Sequence, residues 1–191
     1  MNVALLTGRA GSKSIPGKNV YPVLGRPLVF YPMTAALQAT LVDAVFVSTN
    51  DPAIKRVADS LGIQIIHRPE ALSRDDSELT DAILHALDGI AEKVEILVTM
   101  HCNCAAHRPG LVDECIQRLL DCPEADSCVS GHDDRSVHPF RTKKVLADGF
   151  LDTWMDMSRT TSTNRQALQG CFVLDGACRA LRVERCLPPR G

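Results

Sequence analysis

No acidic residue occurs in this 191-residue chain before Asp43, whereas Arg9, Lys13, Lys18 and Arg26 all do. No apolar run approaches the ~18 residues that a membrane-spanning helix requires. The short apolar start, Val3–Leu6, does not have the form of a signal peptide, so the expected location is cytoplasmic. A formal net charge of −2 gives no general attraction to nucleic acid or to a membrane surface. No cysteine precedes Cys102 and no Cys-x-x-Cys occurs. The eight cysteines therefore read as reduced thiols, mostly core residues, in a cytoplasmic protein. Repeats and low-complexity tracts are absent as well, which excludes a solenoid or a tail. What remains is a single globular domain, residues 1–191, with 45% hydrophobic residues and length enough for a substantial core.

Two familiar phosphate loops are also missing. There is no G-x-G-x-x-G fingerprint. A P-loop needs four residues between its glycine and the Gly-Lys pair, then Ser or Thr. Here five residues separate Gly11 from Gly17, and Asn19 follows Lys18. What is present is a different loop. The apolar strand Val3–Leu6 empties into Thr7-Gly8-Arg9-Ala10-Gly11-Ser12-Lys13-Ser14-Ile15-Pro16-Gly17-Lys18-Asn19, which holds three glycines, three cations and two serines. Glycine lets backbone N–H groups approach phosphate oxygens, and Arg and Lys supply countercharge. The plain alternative is a solvated surface loop.

Strand and helix patterns alternate through the first two thirds. Strands are expected over Val3–Thr7, Ala44–Ser48, Gln64–Ile66, Ile96–Met100 and Ser127–Ser130. Helices are expected over Leu28–Ala39, Pro52–Leu61, Leu79–Ile90 and Pro109–Leu120, with Pro32 bending the first or delaying its start. This order implies an α/β fold, a mostly parallel sheet with helices on both faces. Ligands of such sheets bind beyond the carboxyl ends of the strands, where the cationic loop lies. Asp51, just before Pro52, reads equally well as a helix N-cap. Residues 132–170 break the alternation, with short strand candidates at Phe140–Val145 and Phe150–Trp154.

The segment Gly8–Asn19 closely resembles the signature loop of the CMP-sugar synthetases, the acylneuraminate cytidylyltransferases and their relatives. Gly8, Ala10 and Ser14 stand where that family usually has Ala, Gly and Gly. A side chain at Ala10 or Ser14 forbids some positive-φ conformations, so a shifted loop is expected. Tyr21–Leu28, Val45–Asp51, His67–Leu72 and Phe172–Ala177 are similar to further family segments. The likeness covers most of residues 3 to 181, dense in the first half and thin after Gly131. It implies a three-layer αβα fold of the Rossmann-like, nucleotide-diphospho-sugar transferase type. It also implies a homodimer, with 132–170 as an arm reaching to the partner's sugar pocket and Trp154, Met155 and Met157 as apolar anchors. A flexible surface excursion is the alternative for that stretch.

The chemistry implied by the resemblance is transfer of CMP from CTP to an acidic 2-keto sugar with release of pyrophosphate. Arg9 would lie on the triphosphate and stabilise the growing charge, and Lys18 would hold the β or γ phosphate. Ser12 and Asn19 would bond the base or ribose. Arg68 would sit near the nucleotide, unless it only caps the preceding strand. His101 and Asn103 would touch the sugar. Read without the resemblance, His101, Cys102, Cys104 and His107 suggest zinc, but the spacing is too cramped for four tetrahedral ligands from one loop. Mg²⁺ is implied by the family, yet its ligands are not identifiable. The 101–108 loop carries no acid, and the sequence stops soon after Asp175-Gly176-Ala177. Two other readings stay open: a catalytically weak nucleotide- or sugar-binding relative, and a sugar-nucleotide pyrophosphorylase using another NTP.

Overall fold

A computed structural model describes residues 1–11, 15–155 and 162–187 of the chain. Ser12, Lys13 and Ser14 of the cationic loop, and Met157, lie outside the described residues. The order of elements is β1 (Asn2–Thr7), β2 (Pro22–Val23), β3 (Arg26–Pro27), α1 (Phe30–Leu37), β4 (Ala44–Thr49), α2 (Pro52–Ser60), β5 (Gln64–His67), α3 (Leu79–Asp88), β6 (Ile96–His101), α4 (Leu111–Asp121), β7 (Ser127–Asp133), β8 (Lys143–Val145), β9 (Leu151–Thr153), β10 (Phe172–Arg182) and α5 (Val183–Cys186). Two compact units result. One gathers Met1–Ser130 with the chain from Gly176 onward; the other is Gly131–Asp175 and contains the whole stretch, 132–170, where the alternation fails.

The main sheet has the strand order β5-β4-β1-β6-β10-β7. β1 pairs parallel with both β4 and β6, and β4 with β5. β10 is the exception, running antiparallel to β6 from Arg179↔Thr99 to Arg182↔Ile96. The alternation along β1 sends its side chains to two faces. Ala4 and Leu6 join Val29, Met33, Ile54 and Ile116, a cluster built with α1, α2 and α4. Val3 and Leu5 join Phe46, Ile83, Leu87 and Leu97, on the α3 face. That is the expected three-layer arrangement. Leu5 and Leu6 are fully buried, each worth roughly 1.5–3 kcal/mol of transfer free energy.

The helix starts follow local chemistry. α1 begins at Phe30, so Pro32 falls in the first turn, where a missing N–H costs no helical bond. Asp51 does cap α2: its Oδ1 accepts from Ala53 N at 2.8 Å, with Pro52 at the first helical position. Asp113 on α4 accepts from Thr40 N, Thr40 Oγ1 and Leu41 N, at 3.0, 3.0 and 2.8 Å, which fastens the loop between α1 and β4. None of the eight cysteines is in a disulfide. Cys102, Cys115 and Cys178 are buried, but four others are only partly so and Cys186 is exposed, so fewer sit in the core than their apolar character suggests. Among the described residues no helix is long and apolar enough to cross a membrane.

Candidate active site

Strand order fixes where a ligand can enter. From β1 the chain crosses to β4 and β5 on one side, then returns to place β6 on the other. Loops leaving β1 and β6 therefore diverge, and the sheet opens a crevice beyond Thr7 and His101, which are register partners. A cleft of about 280 Å³ lies there. Arg9, Lys18, Asn19, Arg68, His101 and Asn103 all line it, so the structure brings together every candidate residue it describes. Ser12 falls among the residues not described.

The loop after β1 is held by backbone and amide bonds. Gly8 N donates to Ser48 O at 3.2 Å and Ala10 N to Asn50 Oδ1 at 2.9 Å. Asn50 in turn donates to Glu70 Oε2 at 3.1 Å. Gly17 takes φ 65° and leads a short 3₁₀ turn, Lys18–Val20, that presents Lys18 to the cleft. Asn19 is buried, and its Nδ2 donates to Arg9 O at 3.2 Å. Its amide therefore braces the loop as well as lining the cleft. Ala10 is not among the residues with positive φ. Gly11 takes the positive φ of 76° instead, and Leu24 is the only non-glycine residue with positive φ among those described.

Gly8 explains its own departure from the family pattern. A Cβ there would lie 2.7 Å from Cys102 Sγ and 2.9 Å from Ile54 Cδ1. The volume that alanine would fill is taken by Cys102, which is fully buried and whose thiol burial pushes up to about 12. Cys102 is thus packing, and neutral. Among the described residues no group of three His, Cys, Asp or Glu side chains is placed to hold a metal ion. The carboxylates that line the cleft are Asp75 and Glu78.

Arg9 and Arg68 differ in kind. Arg9 is partly exposed, forms an ion pair with Asp75 and donates to Ser73 O at 3.3 Å. Arg68 is buried, at 8% exposure, and donates to Ser48 Oγ at 3.2 Å and Ser48 O at 3.0 Å. It therefore clamps the end of β4 rather than capping the strand that precedes it, β5, and it also lines the cleft. Burial lowers its pKa, with the Cys102 sulfur acting against this and the Arg9 charge adding to it. A guanidinium stays charged nonetheless. No carboxylate pairs with Arg68 among the described residues, so a buried cation faces an open cleft without a counterion, an arrangement that favours an incoming anion.

His101 and its loop are placed by β6. The ring is half-buried, with Nδ1 3.5 Å from Thr7 Oγ1, and burial lowers its pKa. His107 Nε2 donates to Ala177 O at 3.0 Å, securing the loop to β10. Arg74, Asp75, Ser77 and Glu78 complete the lining and were not singled out by the sequence. The polar run directly after His67–Leu72 was the available signal. Ser77 organises that turn, accepting from Arg74 N at 3.1 Å and donating to Ala71 O at 2.9 Å.

Residues 3–101 match the family model for cytidylyltransferases. The N-acylneuraminate cytidylyltransferase of Oncorhynchus mykiss is 29% identical over 150 residues, which is 78% of this chain and 34% of the relative. The CMP-N,N'-diacetyllegionaminic acid synthase of Legionella pneumophila is 35% identical over 86 residues, 44% of this chain and 37% of the relative. The chain spans 20% to 40% of the length of the curated relatives it matches. Among solved structures, a CMP:2-keto-3-deoxy-manno-octonic acid synthetase complexed with CTP superposes with a TM-score of 0.70 at 20% identity, over 96% of this chain and 74% of that one. A 4-diphosphocytidyl-2C-methyl-D-erythritol synthase from Anaerococcus prevotii gives 0.63 at 14% identity, over 96% of this chain and 71% of that one. At these identities the two structures establish the fold.

Proposed function

Because this chain belongs to the cytidylyltransferase family, we propose that it transfers CMP from CTP to the anomeric hydroxyl of an acidic 2-keto sugar, releasing pyrophosphate. The observation that carries this reading is the convergence of Arg9, Lys18 and the unpaired, buried Arg68 on one cleft at the crevice of the sheet. Such a transfer asks the protein to position the reactants in line and to neutralise charge. Arg9 exchanges Asp75 for phosphate oxygens and stabilises the departing pyrophosphate. Its planar guanidinium suits two oxygens at once. Lys18 meets the outer phosphates as a point charge. Asn19 and Arg68 bind the nucleoside side, and His101 with Asn103 receives the sugar.

Magnesium fits this cleft as an ion carried by the nucleotide. No protein cage exists among the described residues, and Asp75 and Glu78 are the carboxylates on hand. Bound so, it would supply further neutralisation of the triphosphate.

The second unit supports a homodimer. Phe150 and Leu151, the latter opening β9, are 71% and 66% exposed, and Trp154 just beyond is 62% exposed. An apolar surface of this kind suits the arm by which a second copy would be held.

The deciding experiment is a pyrophosphate-release assay crossing four nucleoside triphosphates with sialic, legionaminic, pseudaminic and octulosonic acids. The expected result is turnover with CTP and one or more of these acids, with calorimetry showing CTP bound more tightly than ATP. Equal binding of ATP would favour a pyrophosphorylase of other specificity, and CTP binding without turnover a catalytically weak relative.

A further inference from the structure

The proposed transfer leaves one requirement unassigned. The attacking oxygen begins as a hydroxyl, and its proton must go somewhere as the new bond forms. Of the residues lining the cleft, Arg9, Lys18, Arg68 and Arg74 are cations with no lone pair to offer, and the carboxylate of Asp75 stands on the exposed turn between β5 and α3. Glu78, also in the lining, lies just before α3 and is exposed. His101 sits at the crevice itself. It ends β6 in register with Thr7, one residue before the cationic loop begins.

Three observations prepare the imidazole for this task. Thr7 Oγ1, 3.5 Å from Nδ1, can accept that nitrogen's proton, which leaves Nε2 with the lone pair. Nε2 makes no hydrogen bond with the described residues, so the lone pair is not spent. The ring also packs over Gly176, where a Cβ would come within 3.4 Å of Cδ2, so β10 restricts its rotation without bringing a side chain against it. Burial lowers the pKa of the ring and so favours the neutral imidazole near pH 7.

We propose that His101 is the general base of this reaction. Its Nε2 accepts the proton of the sugar hydroxyl as that oxygen bonds to the α-phosphorus. The bond from phosphorus to the bridging oxygen breaks in the same displacement, and its electron pair leaves with pyrophosphate. This role rests on the cytidylyltransferase reading and goes beyond a contact with the sugar.

The test compares wild type, His101→Gln and His101→Ala in steady-state pyrophosphate release from pH 5 to 9. In the wild type, kcat/KM is expected to fall with acidity below the ordinary histidine value of 6.5, as the ring takes up a proton. In His101→Gln, kcat should drop about 10²–10⁴-fold, with KM for CTP little changed and the acid limb gone. Added imidazole should restore part of the rate of His101→Ala. Variants that keep the acid limb and raise only the sugar KM would overturn the inference, as would a wild type without that limb. Wild-type protein that turns over no acidic sugar with CTP would overturn the parent reading and this inference with it. The two failures are therefore distinguishable.

Discussion

Arg9→Ala separates chemistry from folding more cleanly than any other change in the cleft. Arg9 sits on a loop, and its contacts are an ion pair with Asp75 and a bond to Ser73 O. Its side chain is 36% exposed and that of Asp75 42%, so solvent screens the pair and its worth is about 0.2–1 kcal/mol. For a chain of this size that shifts the melting temperature by no more than about 4 °C. A loss of that size, against a typical stability of 5–15 kcal/mol, leaves nearly all molecules folded at assay temperature. The catalytic loss should be far larger. Removing one preorganised donor aimed at developing charge typically costs about 10²–10³ in kcat, roughly 2.7–4 kcal/mol. The two magnitudes do not overlap, so lost turnover with an almost unchanged melt cannot come from unfolding. Arg9→Lys keeps the charge and loses the planar fork, and should fall between wild type and Arg9→Ala. Pyrophosphate release at saturating CTP, with thermal melts of the same samples, measures both. Turnover by Arg9→Ala within about threefold of wild type would refute the assignment of Arg9 to the triphosphate, since the expected loss is at least tenfold greater than that.

Gly8→Ala should destabilise by about 1–3 kcal/mol, because the new Cβ would lie 2.7 Å from Cys102 Sγ in a fully buried site. Cys102→Ala in the same chain should recover part of that in thermal melts, the Cys102 Cβ contact at 2.8 Å remaining; strictly additive effects would show that the two residues do not share this volume. Sedimentation at micromolar concentration should show a dimer, and the pair Phe150→Ser with Trp154→Ser should shift it towards monomer with the circular dichroism unchanged. A monomeric wild type would remove the arm from the account.

The parts of this fold that could be read in the sequence are those where one residue type answers to one physical demand. Val3–Leu6 and Ile96–Met100 are apolar because parallel strands bury both faces, and both appear as β1 and β6. Asp51-Pro52 marks the start of α2 through two independent preferences, and both operate. The antiparallel run of β10 to Arg182 was not legible beyond Ala177, since Arg179 and Arg182 interrupt the apolar pattern there. In the cleft, Arg9, Lys18 and Arg68 could be found by charge and order. The Asp75 partner of Arg9 could not, because 66 positions separate the two and only the crossing of the sheet brings them together. The exchange of volume between Gly8 and Cys102 was invisible for the same reason. Each residue alone looks like a departure, and the pair is a fit.

Charge placement explains why a phosphate cleft can exist in a protein that repels polyanions overall. The chain carries a formal −2, yet four cationic side chains, Arg9, Lys18, Arg68 and Arg74, line the cleft against the carboxylates of Asp75 and Glu78. Since Asp75 already satisfies Arg9, the excess positive charge falls on Lys18, Arg68 and Arg74 until a ligand arrives. Arg68 cannot relieve its share by turning to water, because Ser48 holds it in place behind the loop. A field confined to a concave site draws a small polyanion inward, while the acidic remainder of the surface turns away an extended one such as nucleic acid. The same confinement predicts that nucleotide affinity falls with ionic strength far less steeply than binding to an open basic patch, because buried charges are screened less than exposed ones.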